Sequence, residues 1–294
     1  MLHLPLPTMS HEQVYELAHE RFRLGPFKQR LLSGQYIVLI RGTEYINHGN
    51  AGTLHSIAAD SSVPPFIREG DMQKLYDQGL LRKKSEARTY YERLRLSSPF
   101  SICPMCLHRT TKTLDHYLPK DRFGTYTVLP ANLIPCCRDC NSEKDEFVGI
   151  DRAASLLHPY FDDVDSTLWL GCELEKLSEF CKPTFFIARS VVNSELLQRL
   201  ISHMETLDLF NLYDLEGARE LNEMTGLLED TFACAGYAGV QKLCNNMYKS
   251  REVVAQNYWR AVLWRTAAMD ADFCRLEQIA AVSSRISYSR RRAI

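Results

Sequence analysis

The sequence predicts a mainly helical α+β chain built around one small non-helical core. Three observations carry this. Helix patterns fit the N-terminal stretch, about residues 1–97, and most of the C-terminal stretch, about 151–294. Between them, over 98–150, helical periodicity stops and cysteines and prolines gather. Inside that break stand two C-x-x-C pairs, Cys103-Pro104-Met105-Cys106 and Cys137-Arg138-Asp139-Cys140. The expected organisation is a helical N-terminal region (1–97), a core (98–150) and a mainly helical C-terminal region (151–294).

The elements follow in order. Ser10-His11-Glu12-Gln13 fits a capping box, with Ser10 as N-cap and Gln13 three residues on. Behind it Val14, Leu17, Ala18 and Phe22 share one helical face, and Pro26 lies past the helix end. Tyr36-Ile37-Val38-Leu39-Ile40 is mostly β-branched or aromatic and reads as a strand. Residues 41–66, rich in Gly, Asn, Ser and Pro, read as loop. Helices fit about 71–79 and about 85–96, the second with Ser85 as N-cap. Beyond the core, Thr184–Arg189 reads as a strand. Asn193 caps a helix running to about 206, and further helices fit about 214–231 and 252–268.

Bulk properties set limits. The chain has 294 residues, 45% of them hydrophobic and 24% charged, an ordinary globular composition long enough for a substantial core. No apolar run reaches the roughly 20 residues a bilayer span needs, and the N-terminus lacks a signal-peptide pattern. A soluble, cytoplasmic protein with no membrane partner is the expectation. The net charge of −1 excludes a broad basic nucleic-acid surface, so positive charge must be local or borrowed from a partner. Two local sources exist: Arg82, Lys83, Lys84, Arg88, Arg93 and Arg95 in one segment, and Arg285, Arg290, Arg291 and Arg292 at the C-terminus. The plain alternative for either run is a solvated surface.

Cysteine usage points to metal. Five of the ten cysteines fall between Cys103 and Cys140, and the rest are scattered. Without a secretory signal, paired C-x-x-C motifs read as ligands, while scattered cysteines read as small buried apolar residues. Cys103, Cys106, Cys137 and Cys140 offer four thiolates, the donor set of a structural zinc site; with four protein ligands that zinc has no open position for chemistry. Cys136 reads as packing, or as an alternative ligand if the second knuckle slips by one residue.

The pairs bracket a second group. Asp115, His116 and Pro119 lie between them in Leu114-Asp115-His116-Tyr117-Leu118-Pro119; Asn132 precedes the second pair, Asn141 follows it at once, and Lys144 comes three residues later. Phosphodiester hydrolysis needs residues of these kinds. An imidazole serves as general base near neutrality, and a carboxylate is a hard ligand for Mg²⁺ or Mn²⁺. Neighbours on a strand point to opposite faces, so Asp115 and His116 require a bulged or strained strand, or work from different sides of a phosphate. Taken singly, Asp115 could be a turn residue, His116 a core histidine and Asn132 a turn former.

Taken together, the string C-x-x-C … L-D-H-x-x-P … N-L-x-x-x-C-x-x-C-N-x-x-K resembles the HNH endonucleases, the zinc-stapled branch of the ββα-metal nucleases. It covers residues 103–145, about a sixth of the chain. The resemblance implies a β-hairpin packed on one helix. Asp115 and Asn141 would hold a catalytic Mg²⁺ or Mn²⁺, His116 would be the base, and Asn132 would brace the hairpin loop. Asn141 stands where many members have His, and an amide oxygen favours Mg²⁺ over Zn²⁺. Lys144 reads as a phosphate contact or as a solvated lysine. The implied substrate is DNA.

The plan of helices around this core also resembles nucleases that accompany an ATPase in bacterial anti-phage systems of the Septu and retron-associated kind, which would explain the low charge. A different class of function stays open: a zinc-stapled binding module for nucleic acid or protein, without turnover.

Overall fold

Ser10 starts the first helix of the computed structural model, α1 (His11–Glu20). Its hydroxyl accepts from the Gln13 amide, and the Gln13 side chain accepts from the Ser10 amide. The structure describes residues 1–176 and 181–276, which fall into two units. The first comprises Met1–Asp163 and Gln198–Leu207; the second comprises Val164–Leu197 and the chain from Asp208 onward. The arginines at 285 and 290–292 lie outside the described residues.

In the first unit, Tyr36–Ile40 is not a strand. It lies inside α2 (Pro26–Ala51), so the loop expected over 41–66 is helical as far as Ala51. β-Branched residues carry only a weak preference, and tertiary packing overrides it here. Leu31, Gly34, Val38, Gly42, Tyr45 and Gly49 turn one helical face inward. Two glycines let neighbours close on that face: a Cβ at Gly42 would collide with the His11 ring, and one at Gly49 with the Phe161 ring.

The helix expected near 71–79 is α3 (Asp71–Leu75), continued by a wider π-type turn at Tyr76–Leu80. Arg30 ties it to α2 through two hydrogen bonds of 2.7 Å to Asp71. Ser85 caps α4 (Glu86–Arg95), accepting from the Arg88 amide at 3.0 Å. In the basic segment Arg88 and Arg95 both pair with Glu92, while Arg82, Lys83, Lys84 and Arg93 are exposed.

The core is a hairpin followed by a short helix. β1 (Thr113–His116) pairs antiparallel with β2 (Leu133–Cys136) in regular register, from Thr113 opposite Cys136 to His116 opposite Leu133. Cys137 is the N-cap of α5 (Arg138–Lys144). This ββα element shares its core with the preceding helices. Leu114, Val128 and Leu133 belong to one buried cluster with Val14, Leu31, Val38, Leu75 and Tyr91 from the preceding helices. The second half of α6 (Ser194–Thr206) also joins the unit. There Arg199 binds both carboxylate oxygens of Asp162, at 2.7 and 2.5 Å, and the His203 Nε2–H donates to the Met105 carbonyl at 3.0 Å.

In the second unit the strand expected near Thr184 is β4 (Cys181–Ile187), paired antiparallel with β3 (Leu170–Lys176). Helices α7 (Leu209–Glu223), α8 (Thr225–Glu252, broken at Gly236), α9 (Trp259–Met269) and the short α10 (Ala271–Cys274) complete it. Phe185, Tyr213 and Trp259 form its aromatic centre, the last two stacked at 6.1 Å. Among the described residues no helix is long and apolar enough to cross a membrane.

Candidate active site

The zinc staple is built by two knuckles. In the first, the chain turns back so that the Cys103 amide donates to Arg109 O (2.7 Å) and the Arg109 amide donates to Cys106 Sγ (3.5 Å). In the second, the Cys140 amide donates to Cys137 Sγ (3.4 Å) at the start of α5. The four sulfurs of Cys103, Cys106, Cys137 and Cys140 lie within 4.8 Å of one another, all buried, and none is in a disulfide. Sulfurs around a tetrahedral zinc at about 2.3 Å sit about 3.8 Å apart; Cys106 and Cys137 are 4.0 Å apart. This buried set of four thiols fits a structural zinc. Arg109 joins the knuckles through a 2.6 Å ion pair with Asp139. Cys136 stays out of the tetrad, buried on β2 opposite Thr113, as its packing role requires.

The hairpin carries Asp115 and His116 at its open end. β1 is neither bulged nor strained there, so the two side chains leave the strand on opposite sides. The His116 Nε2–H donates to the Thr127 carbonyl at 2.9 Å, in the loop between the strands. That bond assigns the tautomer: the proton sits on Nε2 and the lone pair on Nδ1, which takes no hydrogen bond from the described residues. Tyr76 packs edge-on against the ring at 4.7 Å. Burial pushes the imidazole down to about 3, against the Thr127 bond that favours the cation, so His116 is neutral.

Asp115 turns toward α5. Lys144 was expected at a phosphate or in solvent; its burial rules out the solvated reading. Its ammonium is 2% exposed, 3.3 Å from Asp115 Oδ2, and donates to the His116 carbonyl at 2.8 Å. The cause is the docking of a short helix on the strand end, which turns the last residue of α5 inward against two oxygens. Burial raises the Asp115 carboxyl to about 6 even though Lys144 pulls it down. Asn141 is half-buried, one turn before Lys144 on the same helix, and its side-chain amide makes no bond to the described residues. The Asp115 carboxylate also accepts from the His116 amide; it and the Asn141 amide oxygen are hard donors, the kind that fits Mg²⁺ or Mn²⁺.

Asn132 is completely buried and uses its whole bonding capacity. Its Oδ1 accepts from the Leu118 amide (2.8 Å) and the Tyr45 hydroxyl (2.9 Å), and its Nδ2 donates to Leu118 O and Tyr126 O (3.0 and 3.2 Å).

Against known families, the HNH endonuclease model matches residues 103–147. The chain carries an HNH endonuclease domain. The chain is also 25% identical to Protein ea31 of Escherichia phage lambda over 295 residues, covering 94% of this chain and 99% of that protein. No solved structure matches it.

Residues outside the HNH domain line its site, and the sequence pattern did not mark them. Tyr45 comes from α2, inside a stretch read as loop; its signal is the inward stripe of Gly34, Val38, Gly42 and Gly49. Tyr76 comes from the π-type turn. His158 contacts Tyr45, its Nε2 lying 3.2 Å from the hydroxyl. His203, which the sequence did not single out, holds the first zinc knuckle from α6.

Proposed function

We propose that the protein is a divalent-cation-dependent endonuclease that hydrolyses phosphodiester bonds in DNA. The observation that carries this is His116: neutral, with its tautomer set by Thr127 and its Nδ1 lone pair uncommitted, next to a carboxylate on the other side of the strand. In this reading Nδ1 takes a proton from the attacking water as the water oxygen bonds phosphorus and the P–O ester bond breaks. An imidazole that buried is a weak base when the site is empty. The negative charge of a bound phosphodiester nearby favours the cationic form and restores basicity as the reaction needs it.

Asp115 and Asn141 would hold Mg²⁺ or Mn²⁺, which supplies charge stabilisation for the phosphate and the leaving oxygen. Lys144 then serves by keeping the buried Asp115 ionised. The phosphate contact passes to Lys120, which is one-third exposed, 5.5 Å over the Tyr76 ring and so beside His116. Asn132 braces the loop. The finer reading keeps an anti-phage role with an ATPase partner. A chain of net charge −1 gains from a partner that delivers DNA. A gene for such an ATPase beside this one supports that role, and an isolated gene counts against it.

The test is manganese binding, followed by electron paramagnetic resonance on zinc-loaded protein. One Mn²⁺ site lost in Asp115→Asn, together with plasmid cutting that requires Mg²⁺ or Mn²⁺, supports the nuclease. Folded, zinc-loaded protein that neither binds Mn²⁺ nor cuts DNA overturns it in favour of a non-catalytic, zinc-stapled binding module.

A further inference from the structure

The loop that orients His116 is held by a buried chain of hydrogen bonds that begins outside the HNH domain. The Tyr160 amide donates to His158 Nδ1 at 3.1 Å. That nitrogen is therefore the acceptor, and the ring proton is on Nε2. His158 Nε2 lies 3.2 Å from the Tyr45 hydroxyl oxygen and donates toward it, with the Ala131 carbonyl as a second acceptor beside the ring. The Tyr45 proton is thereby directed onward to Asn132 Oδ1 at 2.9 Å. Asn132 in turn pins Leu118 and Tyr126, and the residue after Tyr126 is Thr127, whose carbonyl receives the His116 proton. Tyr45, Asn132 and His158 are at most 1% exposed, so bulk solvent does not reach these bonds. Aromatic contacts hold His158 in place, with Tyr117 at 4.3 Å and Phe161 at 4.6 Å.

We infer that Tyr45 and His158 are positioning residues for the nuclease centre: through Asn132 they set the direction of a hydrogen-bond chain that ends at His116 and fixes its tautomer. The inference rests on His116 as the base. Its logic is one of direction. If His158 carried its proton on Nδ1, Tyr45 would donate to His158 instead, and Asn132 Oδ1 would lose one of its two donors, keeping only the Leu118 amide. Asn132 would then hold the loop from Leu118 to Thr127 less rigidly, and with it the Thr127 carbonyl that selects the His116 tautomer. A displacement of even about 1 Å at a reacting group costs on the order of 100-fold in rate.

The test uses the full-length, zinc-loaded protein and two readouts. Long-range ¹⁵N–¹H spectra of the histidine rings report the His116 tautomer directly, whether or not the protein cuts. Plasmid cleavage gives kcat and KM. Tyr45→Phe and His158→Leu are expected to turn the single Nε2–H signal of His116 into a mixture and to lower kcat about 10- to 100-fold with KM unchanged. His158→Gln keeps a side-chain N–H toward Tyr45 and recovers most of the loss. An unchanged His116 tautomer in Tyr45→Phe and His158→Leu, with unchanged kcat, overturns the inference even if both variants melt earlier. A wild-type protein that shows the single tautomer but cuts nothing under any divalent ion would instead remove the nuclease reading and leave the hydrogen-bond chain standing.

Discussion

The two ends of the HNH domain are held by different physics. At one end four cysteines within 40 positions of each other gather around a single point, and the chain between them only has to turn tightly. At the other end His116 is placed by the Thr127 carbonyl, which depends on Asn132, which depends on Tyr45, 87 residues earlier in the sequence. The first arrangement is local and needs a metal. The second is non-local and needs the preceding helices to have folded. The comparison shows why a match confined to 103–147 understates the unit that must work: the shared hydrophobic cluster and Tyr45 make α2 part of the site.

Breaking the staple should have the largest effect. Cys137→Ser removes a thiolate from the tetrad, and structural zinc contributes on the order of 10 kcal/mol in small domains. The expected result is protein without stoichiometric zinc by atomic emission and loss of a cooperative melt for the first unit. At the other end, Asn132→Leu strands the Leu118 amide, the Leu118 and Tyr126 carbonyls and the Tyr45 hydroxyl in a buried interior. It should cost roughly 3–5 kcal/mol by denaturant unfolding, with zinc retained. Zinc loss in that variant would mean that the two ends are not separable.

Acid sharpens the comparison through histidines that never charge in the fold. Burial pushes both His158 and His203 down to about 3, below the usual 6.5. The unfolded chain therefore takes up protons first, and stability falls as pH drops below about 6.5 toward 3. At pH 5 the loss is on the order of 2 kcal/mol for each. Thermal melts at pH 7.5 and pH 5 should show it; burial lowers His116 and His11 as well, so His158→Gln should remove only one histidine's share, about 2 kcal/mol. The smallest effect belongs to the ion pair across the knuckles. Arg109→Ala breaks a pair whose side chains are 35% and 54% exposed, so a change of at most about 1 kcal/mol is expected.

Much of this was legible in the residues, and the reasons for the rest are physical. The two C-x-x-C pairs, the caps at Ser10 and Ser85 and the Asn193 oxygen accepting from the Leu196 amide are short-range signals and were read directly. Tyr36–Ile40 misled because a β-branched run was weighed by propensity, while the stripe from Leu31 to Gly49 that decides α2 extends well beyond it. β3 carries little strand signal beyond its pairing with β4. Lys144 looked like a surface cation because spacing gives the face of a helix but not what docks on it. Tyr45 and His158 could not be found by motif, because their role exists only once the fold brings residues 45, 132 and 158 together.

The most direct test of the nuclease account is His116→Ala, assayed for cleavage of supercoiled plasmid and of a labelled single strand with Mg²⁺ and with Mn²⁺, beside wild type of equal zinc content. The account predicts cutting by wild type that falls at least about 100-fold in the variant while zinc content and melting stay close to wild type. Full activity in the variant would contradict it.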